Sequence, residues 1–146
     1  MEKKILILII ASNQYPSPIN EFMQKRTWIK EKVDTNIEIL FYKASDKTKI
    51  KDDYLYLKQD DFSVTGIAQR TIEAFDWSLR NKDFDYIFRI NSSSYINLRA
   101  LREFAISLEN KYIYSGRKML FHDQEFVSGA GILLNKNCVN LLVKNK

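Results

Sequence analysis

Cysteine and histidine are nearly absent from this chain, with one of each, Cys138 and His122, in 146 residues. A lone cysteine excludes a disulfide framework, and a lone histidine beside it excludes a Cys/His zinc cluster. A reducing compartment fits this usage. Glycine is scarce too, at 4, and no GxGxxG or P-loop pattern occurs, which argues against a glycine-rich phosphate loop. With only 2 prolines, the chain reads as regular elements joined by short connections. No apolar run approaches membrane-spanning length. The run Ile5 to Ala11, after Met1-Glu2-Lys3-Lys4, superficially looks like a short signal peptide. It sits at the bottom of the length range and no small-x-small cleavage site follows. Its isoleucines suit a buried parallel strand instead. No membrane anchor is visible, and the expectation is a soluble, cytoplasmic protein.

What is present describes an ordinary globular domain: 45% hydrophobic, 13% aromatic and 28% charged residues. The length predicts one domain spanning residues 1–146. The net charge of +5 invites a nucleic-acid reading. Its cations are scattered singly and in pairs (Lys3-Lys4, Lys25-Arg26, Arg117-Lys118) among Asp and Glu, so no nucleic-acid partner is expected. A modest basic lean also suits an anionic small substrate.

Periodicity gives alternating elements. Lys3 to Ala11 reads as a first strand, and Ser17 offers an N-cap with Pro18 at the first helical position. Phe22, Arg26, Ile29 and Val33 then trace a helix over Pro18 to Lys32. Ile37 to Tyr42 and Asp53 to Leu57 read as strands. Val64, Ile67, Ala68, Thr71, Ile72, Phe75 and Leu79 form one apolar helix face. Tyr86 to Ile90 is the next strand. Asn97 caps a helix whose inner face is Leu98, Leu101, Ala105 and Leu108. Tyr112 to Ser115 and Ala130 to Leu134 read as further strands, and Asn135 caps a closing helix through Leu142. Strands alternating with helices predict an α/β fold, a mostly parallel sheet with helices on both faces. Such sheets bind ligands at the carboxyl ends of their strands, which directs attention to the loops after Ala11 and after Ile90.

Five segments, in order, carry a resemblance to a known family. Arg89-Ile90-Asn91-Ser92-Ser93-Ser94-Tyr95-Ile96-Asn97 follows a strand with a basic residue, a polar triplet, then an apolar-aromatic step and Asn. Lys25-Arg26-Thr27-Trp28 is similar to an R-x-T-W signature. Asp61-Phe62, Arg70-Thr71 and Trp77 resemble a D-F…K-T…W helix, its first spacing roughly two residues short. Tyr114-Ser115-Gly116 resembles a tyrosine-x-glycine strand end, and Phe126-Val127-Ser128-Gly129-Ala130-Gly131 a Y-x-S-G-x-G segment. Together, over Lys3 to Val143, these resemble the β-1,3-galactosyltransferase/Fringe-like glycosyltransferases (glycosyltransferase family 31-like). Each segment also has a plain structural explanation. Trp28 and Trp77 suit a core, Gly129 and Gly131 a close backbone approach, and Asn91 to Ser94 a polar turn.

The resemblance implies a Rossmann-like GT-A fold and transfer of a sugar, with inversion, from a nucleotide-sugar donor to the hydroxyl of a glycan or other acceptor. The alternative is a non-catalytic nucleotide-sugar-binding or scaffold domain on the same fold. Carried over residue by residue, the donor site comprises Ala11, Ser12, Arg26, Arg89, Asn91, Ser92, Ser93, Gly129, Ala130 and Gly131. The family's acidic DxD-type triplet, which holds Mn²⁺ or Mg²⁺, is here Asn91-Ser92-Ser93. Hard divalent cations prefer carboxylate oxygen, so no metal-ligating residue is assigned and cations such as Arg26, Arg89 or Lys118 are expected to screen the diphosphate. The family's base comes from an acidic segment beyond Lys146. His122, Asp123 and Glu125, just before the glycine segment, are the candidates here. The chain thus reads as the amino-terminal part of a longer transferase or a minimal version of one.

Overall fold

Residues 5–10, apolar without interruption, become the centre of the sheet in the computed structural model, which describes residues 2–59 and 66–146. In chain order the elements are β1 (Ile5–Ile10), α1 (Ser17–Arg26), β2 (Ile37–Ser45), β3 (Lys49–Lys51), β4 (Tyr54–Lys58) and α2 (Ile67–Asn81). There follow β5 (Tyr86–Asn91), α3 (Leu98–Ser107), β6 (Tyr114–Phe121), β7 (Gln124–Asn135) and α4 (Lys136–Lys144). The strands lie in the order β3-β4-β2-β1-β5-β7-β6.

Alternation along β1 divides the core. Ile5, Ile7 and Ile9 face a cluster with Trp28, Leu101 and Ala105, on the side of α1 and α3. Leu6 and Leu8 face Ala74, Phe75, Cys138 and Val139, on the side of α2 and α4. Helices therefore cover both faces, as the alternating pattern predicts. Each of the fully buried β1 side chains contributes roughly 1.5–3 kcal/mol relative to exposure. No helix among the described residues is long and apolar enough to cross a membrane.

The expectation of a mostly parallel sheet is corrected. Pairs β1–β2, β1–β5 and β2–β4 are parallel, while β3–β4, β5–β7 and β6–β7 are antiparallel. The reason lies in β6 and β7, which form one long hairpin rather than two short strands separated by a loop. Its two-residue connection is His122 (φ 46°) and Asp123 (φ 62°), both left-handed, the geometry that matches strand twist in a tight hairpin. β3 was not expected either; three residues, Lys-Ile-Lys, form a short charged edge.

The first helix also differs. It ends at Arg26, not Lys32, and Ser17 lies inside it, after the cap position Pro16, which makes no side-chain cap bond. The Ser17 hydroxyl instead accepts from Ser12 N–H at 2.9 Å and donates to Glu21 at 2.9 Å. Phe22 and Val33, two of the residues whose spacing traces the helix, are exposed; the buried stripe is Ser17, Glu21, Gln24 and Trp28. The two asparagine caps hold as expected: Asn97 accepts from Ala100 N–H and Asn135 from Cys138 N–H, each at 3.0 Å. On α2, Arg70, Ala74, Phe75 and Ser78 are buried and Ala68 is exposed; Asp61, Phe62 and Val64 lie outside the described residues.

Candidate functional site

The chain moves from β1 outward to β2 and β4, then returns to the other side of β1 as β5. The order therefore reverses between β1 and β5, and the crevice outside their carboxyl ends is where open α/β sheets bind ligands. Three sequence segments meet at this edge: the loop after Ala11, the turn Asn91 to Ser94, and Gly129 to Gly131 on β7.

Arg89 joins two of them. It is 5% exposed, and its Nη1 donates to Asn91 Oδ1 at 2.8 Å and to the Gly129 carbonyl at 2.7 Å. Its Nε donates to the Tyr42 hydroxyl at 3.1 Å. Tyr42 lies 2.9 Å from Thr71 Oγ1, which donates to the Ile67 carbonyl at 2.9 Å. The proton direction follows: Tyr42 O–H points to Thr71 and its oxygen is left to accept from Arg89. No carboxylate among the described residues pairs with Arg89, so neutral oxygens carry its charge. A Cβ at Gly129 would stand 2.9 Å from Nη1, so a side chain there would have to displace the guanidinium.

The turn is pinned from two sides. Ser94 Oγ donates to the Ala130 carbonyl at 2.7 Å, and Gln24 Nε2 donates to the Ser94 carbonyl at 2.7 Å. Gln24 comes from the buried polar stripe of α1. Glu21, on the same stripe, accepts from Ser17 Oγ and from Tyr54 O–H, each at 2.9 Å. Burial, then the bond to Glu21, raises the Tyr54 phenol well above its ordinary range.

Two recesses flank the β1–α1 loop. One, of about 360 Å³, is lined by Ser12, Glu21, Lys25, Lys43 and Tyr54 among others. Lys25 Nζ lies 4.4 Å from the Tyr54 ring centre and pairs with Asp53 at 3.1 Å. The other, of about 230 Å³ and on the α2 side, is lined by Ala11, Ser12, Asn13, Gln14, Lys43, Ala44 and Arg70. Lys43 borders both, its Nζ donating to Asn13 Oδ1 at 2.9 Å and standing 4.8 Å from the Tyr54 ring.

Of the sequence-predicted residues, Ala11, Ser12, Arg89, Asn91, Gly129 and Ala130 thus belong to this edge, with Ser92 half-buried and Ser93 exposed on the turn. Gly131 is packed under Phe88, 2.8 Å from the position of a Cβ. Arg26 is not drawn into either recess; it is exposed, its guanidinium over the Phe22 ring at 5.3 Å. The base candidates stand apart. His122, Asp123 and Glu125 are exposed at the hairpin tip, where Glu125 pairs with Lys118. The last β5–β7 rung is Ile90–Gly131, and at about 3.4 Å per residue the tip lies roughly 25 Å farther along β7. Glu21, Gln24, Lys43, Tyr54 and Arg70 were missed. A polar stripe at helical spacing, 17-21-24, ending on Trp28, was the available signal.

The described residues of this edge do not fit a divalent cation. Asn91 Oδ1 already accepts from a guanidinium, and no group of three or more His, Cys, Asp or Glu among the described residues could hold a metal. The chain matches no protein-family profile and no curated protein. Fold and site together define an α/β domain with an open mixed sheet and a cation-lined crevice at its switch point.

Proposed function

We propose that the chain is a glycosyltransferase domain of Rossmann-like GT-A type, taking a nucleotide-sugar donor at the switch-point crevice and transferring its sugar, with inversion, to an acceptor hydroxyl. The observation that carries this reading is the meeting of the Ala11-Ser12, Asn91 to Ser94 and Gly129 to Gly131 segments at one sheet edge. Asn91 to Ser94 and Gly129 to Gly131 are separate pieces of the family pattern, Ala11-Ser12 opens the loop after the first strand, and nothing but the fold brings the three together. In the transfer the acceptor oxygen forms a bond to the anomeric carbon while the bond to the diphosphate oxygen breaks. The acceptor proton passes to a base and the nucleoside diphosphate departs.

A second reading has its own support: a nucleotide-sugar-binding domain without transfer. Asn91 and Ser94 are engaged in internal hydrogen bonds, and His122, Asp123 and Glu125 sit far along the hairpin. The test is to incubate the chain with uridine, guanosine and thymidine diphosphate sugars and a library of hydroxyl acceptors, measuring both binding and nucleotide release. Saturable binding with acceptor-dependent release supports transfer. Binding without release supports the second reading, and absence of binding at millimolar donor sinks both.

A further inference from the structure

The sheet ends in two unlike edges. At one, β3 is three residues long and carries Lys49 and Lys51, the short, charged form that discourages pairing with another chain. At the other, β6 runs for eight residues, with no proline and with Met119, Leu120 and Phe121 in succession. Lys118, the cation next to them, pairs with Glu125. The irregularity between Gly116 and Lys118 places its extra residues on β7, so β6 stays continuous. Its outer backbone groups have no strand partner among the described residues.

On the turn side of the Ile90–Gly131 rung β7 leaves β5, and β6 and β7 continue alone as a two-stranded ribbon. Two strands by themselves are marginally stable in water and need further strands or an apolar covering. This ribbon presents apolar residues to solvent: Leu120 is 65% exposed, Phe121 66% and Phe126 48%. Met119 and Phe126 lie directly opposite each other and so share one face.

We propose that this edge pairs with β6 of a second copy of the chain, antiparallel, about a two-fold axis through Met119. Symmetry and charge select this occupant and this register. A two-fold axis normal to the sheet keeps each side chain on its own face, so one residue must lie opposite its own copy. Arg117 or Lys118 at that point would oppose like charges. Leu120 there would shorten the pairing to residues 119–121, ahead of the His122-Asp123 turn. Met119 brings all of Arg117 to Phe121 into register. Arg117 then faces the Phe121 ring of the second copy and Lys118 faces its Leu120, so neither cation meets another. One face carries the row Phe126, Met119, Met119, Phe126 across the two copies. The four-stranded ribbon gains the apolar face and the extra strands that the two-stranded one lacks. Such a short strip is a small interface, below about 1,200 Å² in total, so association is expected on the order of tens of micromolar. The proposal stands apart from the transferase reading.

The test is sedimentation equilibrium of the full chain from about 10 μM to about 1 mM. The expected mass rises with concentration from 17.3 kDa toward twice that value. Met119→Lys and Met119→Glu should each weaken self-association at least about tenfold, because like charges then meet at the axis. Mixing the two variants should restore it, lysine against glutamate. Met119 is exposed, so melting temperatures close to that of the parent chain check that both variants fold. A mass of 17.3 kDa throughout overturns the proposal, and binding of that monomer to phosphatidylserine vesicles would assign the ribbon to a lipid surface instead. Self-association that Met119→Lys leaves unchanged overturns the placement on β6, and variants that stay monomeric when mixed overturn the register.

Discussion

Replacing Tyr42 with Phe tests the account of Arg89 directly. The change removes one oxygen from a fully buried ring and leaves the packing in place. Among the described residues that oxygen is the only acceptor for Arg89 Nε, at 3.1 Å, and no carboxylate pairs with the side chain. A hydrogen bond to a charged group contributes about 1.5–3 kcal/mol, and stranding a buried charged donor costs at the upper end of that range. The expected loss is therefore about 2.5 kcal/mol. For a chain of this size that is roughly 5–10 °C in melting temperature. Thr71→Val probes the next link, which is between neutral groups, and should cost about 1 kcal/mol. Arg89→Met combined with Tyr42→Phe removes donor and acceptor together, so the double variant should lose less than the sum of the singles. Urea unfolding with m-values held in view measures all four. A Tyr42→Phe loss below about 0.5 kcal/mol, or one no larger than that of Thr71→Val, would show that Arg89 does not depend on this oxygen.

Other consequences follow from the same contacts. Gly116→Ala should cost more than Gly129→Ala, because the new Cβ meets the Gly131 carbonyl oxygen at 2.3 Å rather than the movable Arg89 Nη1 at 2.9 Å. Equal losses in denaturant unfolding would refute the ordering. Asn97→Ala should cost about 1 kcal/mol as a simple helix cap, and Asn135→Ala about twice that. Asn135 Oδ1 also accepts from Ile113 N–H at 3.1 Å, and its Nδ2 donates to the Lys111 carbonyl at 2.9 Å. Thermal melts of the two variants compare them. Burial raises the Cys138 thiol above its ordinary 9.0, and burial raises the Tyr54 and Tyr86 phenols above 10.0. The folded chain then keeps these protons where the unfolded chain loses them. Their contribution is full below about pH 9 and falls as pH rises beyond it. Melting temperatures measured from pH 8 to 11 should decline across that window, and a flat profile would contradict the burial.

The elements that pattern made legible are those whose apolar residues face inward. β1, the α3 face of Leu101 and Ala105, and the Asn97 and Asn135 caps all obey period and capping chemistry, and all were readable. The hairpin was not, because its turn is His122-Asp123 rather than the Asn-Gly or Asp-Gly that announces two left-handed residues. Nor does β6 alternate in the usual sense: Arg117 to Phe121 are all exposed. The segments around Asn91 and Gly129 were legible as motifs, and Ser12 as the loop after the first strand. Lys43 was not, because it lies on a strand whose polar residues carry no motif, and Arg70 was legible only as part of the Arg70-Thr71 segment, with no place at this edge.

The misreading of α1 is the most instructive of these, and it bears on function. Helical spacing singles out Phe22, Arg26, Ile29 and Val33, yet the fold buries Ser17, Glu21 and Gln24 and leaves Phe22 55% exposed. Turning polar residues inward costs free energy unless each finds a partner. Ser17 and Tyr54 satisfy both Glu21 oxygens, and Gln24 Nε2 reaches the Ser94 and Asn91 carbonyls, while Gln24 Oε1 stays buried without a hydrogen-bond partner. The bonds that are made tie α1 to the β1 loop, to β4 and to the turn after β5, which are the walls of the crevice. An apolar face would pack α1 onto the sheet as firmly but could not fix those loops. Local rules broken with compensation cluster at working sites, and here the compensation consists of the contacts that hold the crevice in shape.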